Sequence, residues 1–103
     1  MFNKDEILRR LQNDFTFLNQ EFGVKRIGLF GSFASNTSNA ESDIDLIVEL
    51  EKPLGFKFFD LVERLENLLG KKIDLLTKDG LENIRQKEIT TSIERNVIYV
   101  EAA

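Results

Sequence analysis

GSFASNTSNAESDIDLIVEL, Gly31 to Leu50, joins a glycine–serine pair to an alternating stretch in which Asp43 and Asp45 flank a single isoleucine, the first aspartate lying eleven residues after Ser32. In DIDLIVEL, Ile44, Leu46, Val48 and Leu50 share one face, and Asp43, Asp45, Ile47 and Glu49 share the other, which is the period-2 pattern of a β-strand. Aspartate is depleted from strands. Two on one face of a strand this apolar therefore need a reason.

Outward from this strand, the chain alternates helix and strand. Before it, Asn3 and Glu6 have the spacing of a capping box. Ile7, Leu8, Leu11, Phe15, Leu18 and Phe22 then recur at helical spacing up to Gly23. VKRIGLF, from Val24, alternates Ile27 and Leu29 with small or basic residues and predicts a strand that ends at Gly31. After the aspartate strand, Pro53 and Gly55 break the chain. FKFFDLVERLENLL follows, with Phe58, Phe59, Val62, Leu65 and Leu69 as its predicted apolar stripe and Gly70 as its stop.

KKIDLLT then carries Asp74 between Ile73 and Leu75. The intervening helix predicts that this strand runs parallel to the aspartate strand. Leu81 to Arg95 reads as a less regular helix and VIYV, from Val97, as a last short strand. The fold class expected is α/β, a mixed β-sheet flanked by helices, built as a single domain over residues 1–103. The Gly31 strand is predicted antiparallel to the Asp43 strand, so that the carboxylates meet at one sheet end.

Composition narrows the chemistry. A chain of 103 residues with 42% hydrophobic content closes one core. A formal net charge of −4 argues against gripping nucleic acid directly, because phosphate neutralisation needs clustered Lys and Arg. With no cysteine and no histidine, thiolate nucleophiles, the commonest general base and the commonest transition-metal ligand are all missing. No apolar run approaches the roughly 20 residues that span a bilayer. A cytoplasmic protein with no membrane partner is the expectation, and homo-oligomerisation stays open.

Asp43 and Asp45 on one face would have Cα atoms about 6–7 Å apart. Their like charges and partial burial conflict unless a cation lies between them. Mg²⁺ takes oxygen ligands and tolerates substrate phosphates in its shell, so it suits a residue inventory of carboxylates. Asp74, on a strand roughly 4.8 Å away, can reach the same space. Three carboxylates can hold two ions about 3.5–4 Å apart, the arrangement that serves phosphoryl chemistry. Gly31 and Ser32 supply a turn whose backbone a phosphate can approach. An isolated D-x-D is more often a solvated face and an isolated Gly-Ser an ordinary turn. Only their combination with Asp74 favours a site. Lys71-Lys72 reads as a solvated strand edge. The phenylalanines read mostly as core, with Phe33 and Phe56 as interface candidates.

G-S-F-A followed by S-D-I-D-L-I-V resembles the nucleotidyltransferase superfamily that shares the DNA polymerase beta palm fold, and within it the minimal nucleotidyltransferase (MNT) domains that pair with HEPN-domain proteins. The resemblance runs over nearly the whole chain. It implies that Asp43, Asp45 and Asp74 are catalytic metal ligands for two Mg²⁺ ions, with Asp74 also taking the acceptor proton. It further implies that Gly31 and Ser32 contact the β and γ phosphates of ATP, and that AMP is transferred to a hydroxyl, a tyrosine of a HEPN toxin, in an antitoxin role. These minimal domains frequently continue Ala-Arg-Gly after the shared motif, where this chain has Ala34-Ser35-Asn36. That departure keeps an alternative open: a binding module that neutralises its partner by occlusion. A small-molecule acceptor is disfavoured, because the chain lacks length for a domain to enclose one.

Overall fold

The computed structural model describes residues 3–35, 37, 42–78 and 97–100. The elements follow the order α1 (Lys4–Phe22), β1 (Val24–Phe30), α2 (Gly31–Ala34), β2 (Ile44–Leu50), α3 (Lys57–Leu69), β3 (Ile73–Thr77) and β4 (Ile98–Val100). The predicted helix between Leu81 and Arg95 lies outside the described residues.

α1 begins as its sequence predicts. The Asn3 side chain accepts the Glu6 N–H at 3.0 Å, satisfying one of the donors a helix start leaves without a partner. The Glu6 carboxylate is engaged by Arg9 and Arg10. Gly23 closes the helix, its N–H donating to Asn19. Ile7, Leu11, Phe15, Leu18 and Phe22 are all buried, so the predicted stripe is the face that packs.

The four strands form one sheet in the order β3-β2-β1-β4. β1 is antiparallel to both β2 and β4, and β2 is parallel to β3; the β1–β2 and β2–β3 directions are those expected from the sequence, the second of them from the helical crossover. Ile27, Leu29, Ile44, Leu46, Val48, Ile73 and Val100 join the apolar faces of α1 and α3 in one core cluster. Two arginines tie the helices to each other: Arg64 grips Asp14 with contacts of 3.1 and 2.6 Å, and Arg10 donates to the Leu68 carbonyl at 3.0 Å.

α3 departs from its predicted stripe. Leu61, Leu65 and Leu69 are buried, whereas Phe59 is 68% exposed and Phe56 is 90% exposed. At 100° per residue, Phe59 lies roughly 120° around the helix from the centre of the Leu61–Leu65–Leu69 face, so it cannot reach the core that those leucines fill. Phe33, read beforehand as an interface candidate, is buried.

The consequence for function lies in the strand directions. β1 ends at the sheet edge where β2 and β3 begin, so the Gly31–Ser32 turn and the aspartates converge on one edge.

Candidate active site

Register places Phe30, Asp45 and Asp74 in one row across three strands, Phe30 opposite Asp45 and Asp45 opposite Asp74. Neighbours in register on adjacent strands project from the same face of the sheet. The two aspartates therefore stand side by side, and Gly31 follows Phe30 directly. Asp45 is half-buried, while Asp74 and Asp43 are exposed. Asp43 precedes β2 and sits at the rim of the same edge.

The three carboxylates are electrically coupled. Burial raises the Asp45 pKa above the ordinary aspartate value of 3.8, and the charges of Asp74 and Asp43 and a hydrogen bond with the Asp74 carboxyl push it the same way. Two carboxyl groups in direct contact need either a shared proton or a cation. Among the described residues no three carboxylates are already gathered as a metal-binding group. Asp45 and Asp74 stand side by side in register, and Asp43 acts on Asp45 from the exposed rim. Oxygen-only donors with a surplus of negative charge fit a hard divalent cation, and these three residues are the ones that would hold it.

This coupling has a pH signature. A carboxyl whose folded-state pKa is raised makes the native state bind protons more tightly than the unfolded chain, so its contribution to stability falls as pH climbs from 3.8 through the raised value. In thermal melts without metal, the difference between wild type and Asp45→Asn is expected to turn against wild type over that window and then level off. Added Mg²⁺ is expected to raise the wild-type melting temperature more at about pH 7.5 than at about pH 4, where protons compete with it. A metal shift that is the same at both pH values would contradict metal binding at Asp45.

Gly31 opens α2 with φ of +74°, in the left-handed region. A Cβ built there would collide with the Asp45 carboxylate and come within 2.9 Å of its Cγ. Turn and carboxylate are thus packed together with no room for a side chain. The first N–H groups of a helical turn have no partner within it, and they are the anion-binding groups expected of Gly31 and Ser32. A four-residue helix sums few peptide dipoles, however. Its pull on a phosphate is weaker than a full helix N-terminus would exert.

Ser35 is a site residue that the sequence reading missed. Its hydroxyl lies 3.2 Å from the Gly31 carbonyl, 3.3 Å from the Ser32 carbonyl and 2.9 Å from Thr37 Oγ1. The Thr37 N–H also donates to the Ser32 carbonyl, at 2.9 Å. Ser35 stands where the family pattern frequently has arginine, and it closes the turn without bringing charge. Back-bonding of serine to carbonyls three and four residues earlier was the available signal. Lys71 also departs from expectation: Lys72 is exposed, but Lys71 is half-buried, with its ammonium 5.9 Å from the Phe33 ring centroid.

A cavity of about 450 Å³, lined by Val48, Glu49, Leu54, Phe58, Thr77 and Lys78 among others, lies at the opposite end of β2 and β3. None of the predicted site residues lines it. The carboxylate edge lies at the other end of these two strands.

Comparison with known proteins identifies the family. The nucleotidyltransferase domain profile matches residues 8–100. A Methanocaldococcus jannaschii protein, named provisionally as a protein adenylyltransferase, is 41% identical over 98 residues, which cover 92% of each chain. The protein adenylyltransferase MntA of Thermococcus cleftensis is 39% identical over 84 residues, 81% of each chain. A structure described provisionally as a minimal nucleotidyltransferase superposes with a TM-score of 0.71 at 25% identity, covering 93% of this chain and 94% of that one.

Two further structures share the fold at lower identity. A toxin–antitoxin with AMP-PNP has a TM-score of 0.66 at 21% identity, covering 89% of this chain and 73% of that one. A tri-AMPylated Shewanella oneidensis HEPN toxin in complex with MNT antitoxin gives 0.60 at 17%, covering 93% and 73%. The carboxylate edge, the glycine–serine turn and these matches lead to one conclusion: the chain belongs to the nucleotidyltransferase domain family, among its minimal members, and is a nucleotidyltransferase.

Proposed function

We infer that this chain transfers AMP from ATP to a hydroxyl on a HEPN-type protein partner, a tyrosine, and thereby acts as a cytoplasmic antitoxin. The observation that carries the reading is the register pairing of Asp45 with Asp74 directly beside Gly31, since it brings acidic oxygens and a phosphate-sized turn to one edge. Relatives named as protein adenylyltransferases and the AMPylated HEPN toxin held by an MNT antitoxin support the acceptor class. Among the described residues no helix is long and apolar enough to cross a membrane.

In this reading Asp43, Asp45 and Asp74 hold Mg²⁺, two ions in all. When bound, the metal supplies charge neutralisation and Lewis-acid polarisation of the phosphates. The chain's own groups do the rest. Gly31 and Ser32 hold the β and γ phosphates, which orients the α phosphorus toward the acceptor. Asp74 takes the proton of the acceptor hydroxyl, the general-base role left to a carboxylate in a protein without histidine. The acceptor oxygen forms a bond to the α phosphorus as the bond from that phosphorus to the bridging oxygen breaks, and pyrophosphate leaves with the electron pair.

The test uses the chain purified with its partner and ATP labelled in the α phosphate. With millimolar Mg²⁺, label is expected on the partner together with an equivalent release of pyrophosphate. Excess EDTA is expected to lower both by about a hundredfold or more. The second reading, occlusion, draws on Ser35 standing in place of the arginine. A partner that stays unlabelled yet is fully neutralised would establish occlusion and overturn AMP transfer.

A further inference from the structure

A lysine in the segment that leads into β3 stands near the short turn. The edge carries three carboxylates, Asp43, Asp45 and Asp74, with Asp45 and Asp74 in contact. The turn that faces them is one helical turn long. It offers neutral N–H donors and almost no macrodipole, and Ser35 adds a hydroxyl that is committed to the turn's own carbonyls. A polyphosphate arriving here meets strong like charge, and neutral donors alone offset little of it.

Lys71 lies three residues ahead of Asp74 in the segment that leads into β3. The Lys72 carbonyl accepts the Ile44 N–H at 3.1 Å, which pins this segment alongside Asp43 and Asp45. Lys71 then leans away from solvent, and its ammonium stands 5.9 Å from the centre of the Phe33 ring. Phe33 is itself buried and belongs to α2. Phe33 follows Ser32 directly in the chain, so the ammonium stands against the residue next to the Gly31–Ser32 pair. Lys72, one residue on, is exposed.

We propose that Lys71 is a phosphate-binding residue of this site, its ammonium contacting the terminal phosphates of the nucleotide held by the Gly31–Ser32 turn. The inference rests on the nucleotidyl-transfer reading above and deepens it. An ammonium is a compact charge with three donors and is well suited to a phosphate whose orientation is already set by backbone N–H groups. From beside the ring of Phe33 the ammonium reaches toward the phosphates.

Calorimetric titration of the intact chain with ATP, ADP and AMP, each with Mg²⁺, tests the proposal on wild type, Lys71→Gln, Lys71→Arg and Lys72→Gln. Lys71→Gln is expected to weaken ATP binding by about tenfold, the scale of one charge-assisted hydrogen bond. The loss should shrink for ADP and vanish for AMP, which lacks the terminal phosphates. Lys71→Arg should recover most of the affinity and Lys72→Gln should match wild type. Melting curves of each variant separate this from a latch between Lys71 and Phe33. A Lys71→Gln protein with a lowered melting temperature but unchanged ATP affinity, or with equal losses for ATP and AMP, overturns the proposal and leaves nucleotidyl transfer standing. Failure of wild type to bind Mg·ATP overturns both.

Discussion

Asp45→Asn is expected to reduce transfer of labelled AMP to the partner by about three orders of magnitude, because the charge it deletes lies where metal clamping supplies most of the transition-state stabilisation. Asparagine keeps the shape of the side chain. It also removes the repulsion that Asp45 feels from Asp74 and Asp43, so the metal-free protein should melt at or above the wild-type temperature. Loss of activity with retained or increased stability separates a site defect from a folding defect. Asp43→Asn should also lower transfer by orders of magnitude. Asp74→Asn should be similarly inactive yet keep more nucleotide affinity if its main task is the acceptor proton and not the phosphates. A variant at Asp45 that still transfers AMP at a tenth of the wild-type rate would rule out the metal-ligand role.

Gly31→Ala comes next in size, with an expected loss of about a hundredfold, the scale set by misplacing a catalytic group by about 1 Å. Two effects add. A side chain at φ +74° meets the left-handed penalty of about 1–2 kcal/mol, and the new methyl drives into the Asp45 carboxylate. Gly70→Ala isolates the first effect. Gly70 has φ +69° and nothing within 4 Å of its built Cβ, so its substitution strains the backbone without touching the site. Gly31→Ala should lose more stability than Gly70→Ala in urea denaturation, the difference being the clash with Asp45, and only Gly31→Ala should lose transfer and Mg²⁺ affinity. Equal activity in the two variants would mean that the close approach of Gly31 to Asp45 carries no catalytic weight.

Secondary structure and strand direction were legible because they depend on local rules. The 3.6-residue recurrence in α1 and the alternation in β2 each specify a buried face from neighbouring residues alone. The parallel pairing of β2 with β3 follows from the helix that connects them. Asp43, Asp45 and Asp74 stand out for the same reason: acidic residues on otherwise apolar strands are locally anomalous. The stripe on α3 misled because Phe59 satisfies helical spacing while lying off the face that Leu61, Leu65 and Leu69 bury. Spacing describes a helix but leaves open which side the rest of the chain covers.

Sequence by itself determined the fold class, the relative directions of β1, β2 and β3 and the residue types available for chemistry, since periodicity, punctuation and composition are properties of the chain. Only the tertiary structure decided that Asp45 is half-buried in contact with Asp74 while Asp43 stays at the rim, that Ser35 closes the glycine turn, and that Lys71 rather than Lys72 leans on Phe33. Each of these depends on atoms brought together from distant or non-periodic positions. Desolvation, Coulomb coupling and steric exclusion act through distance in space, and distance in space is set when strands register and helices pack.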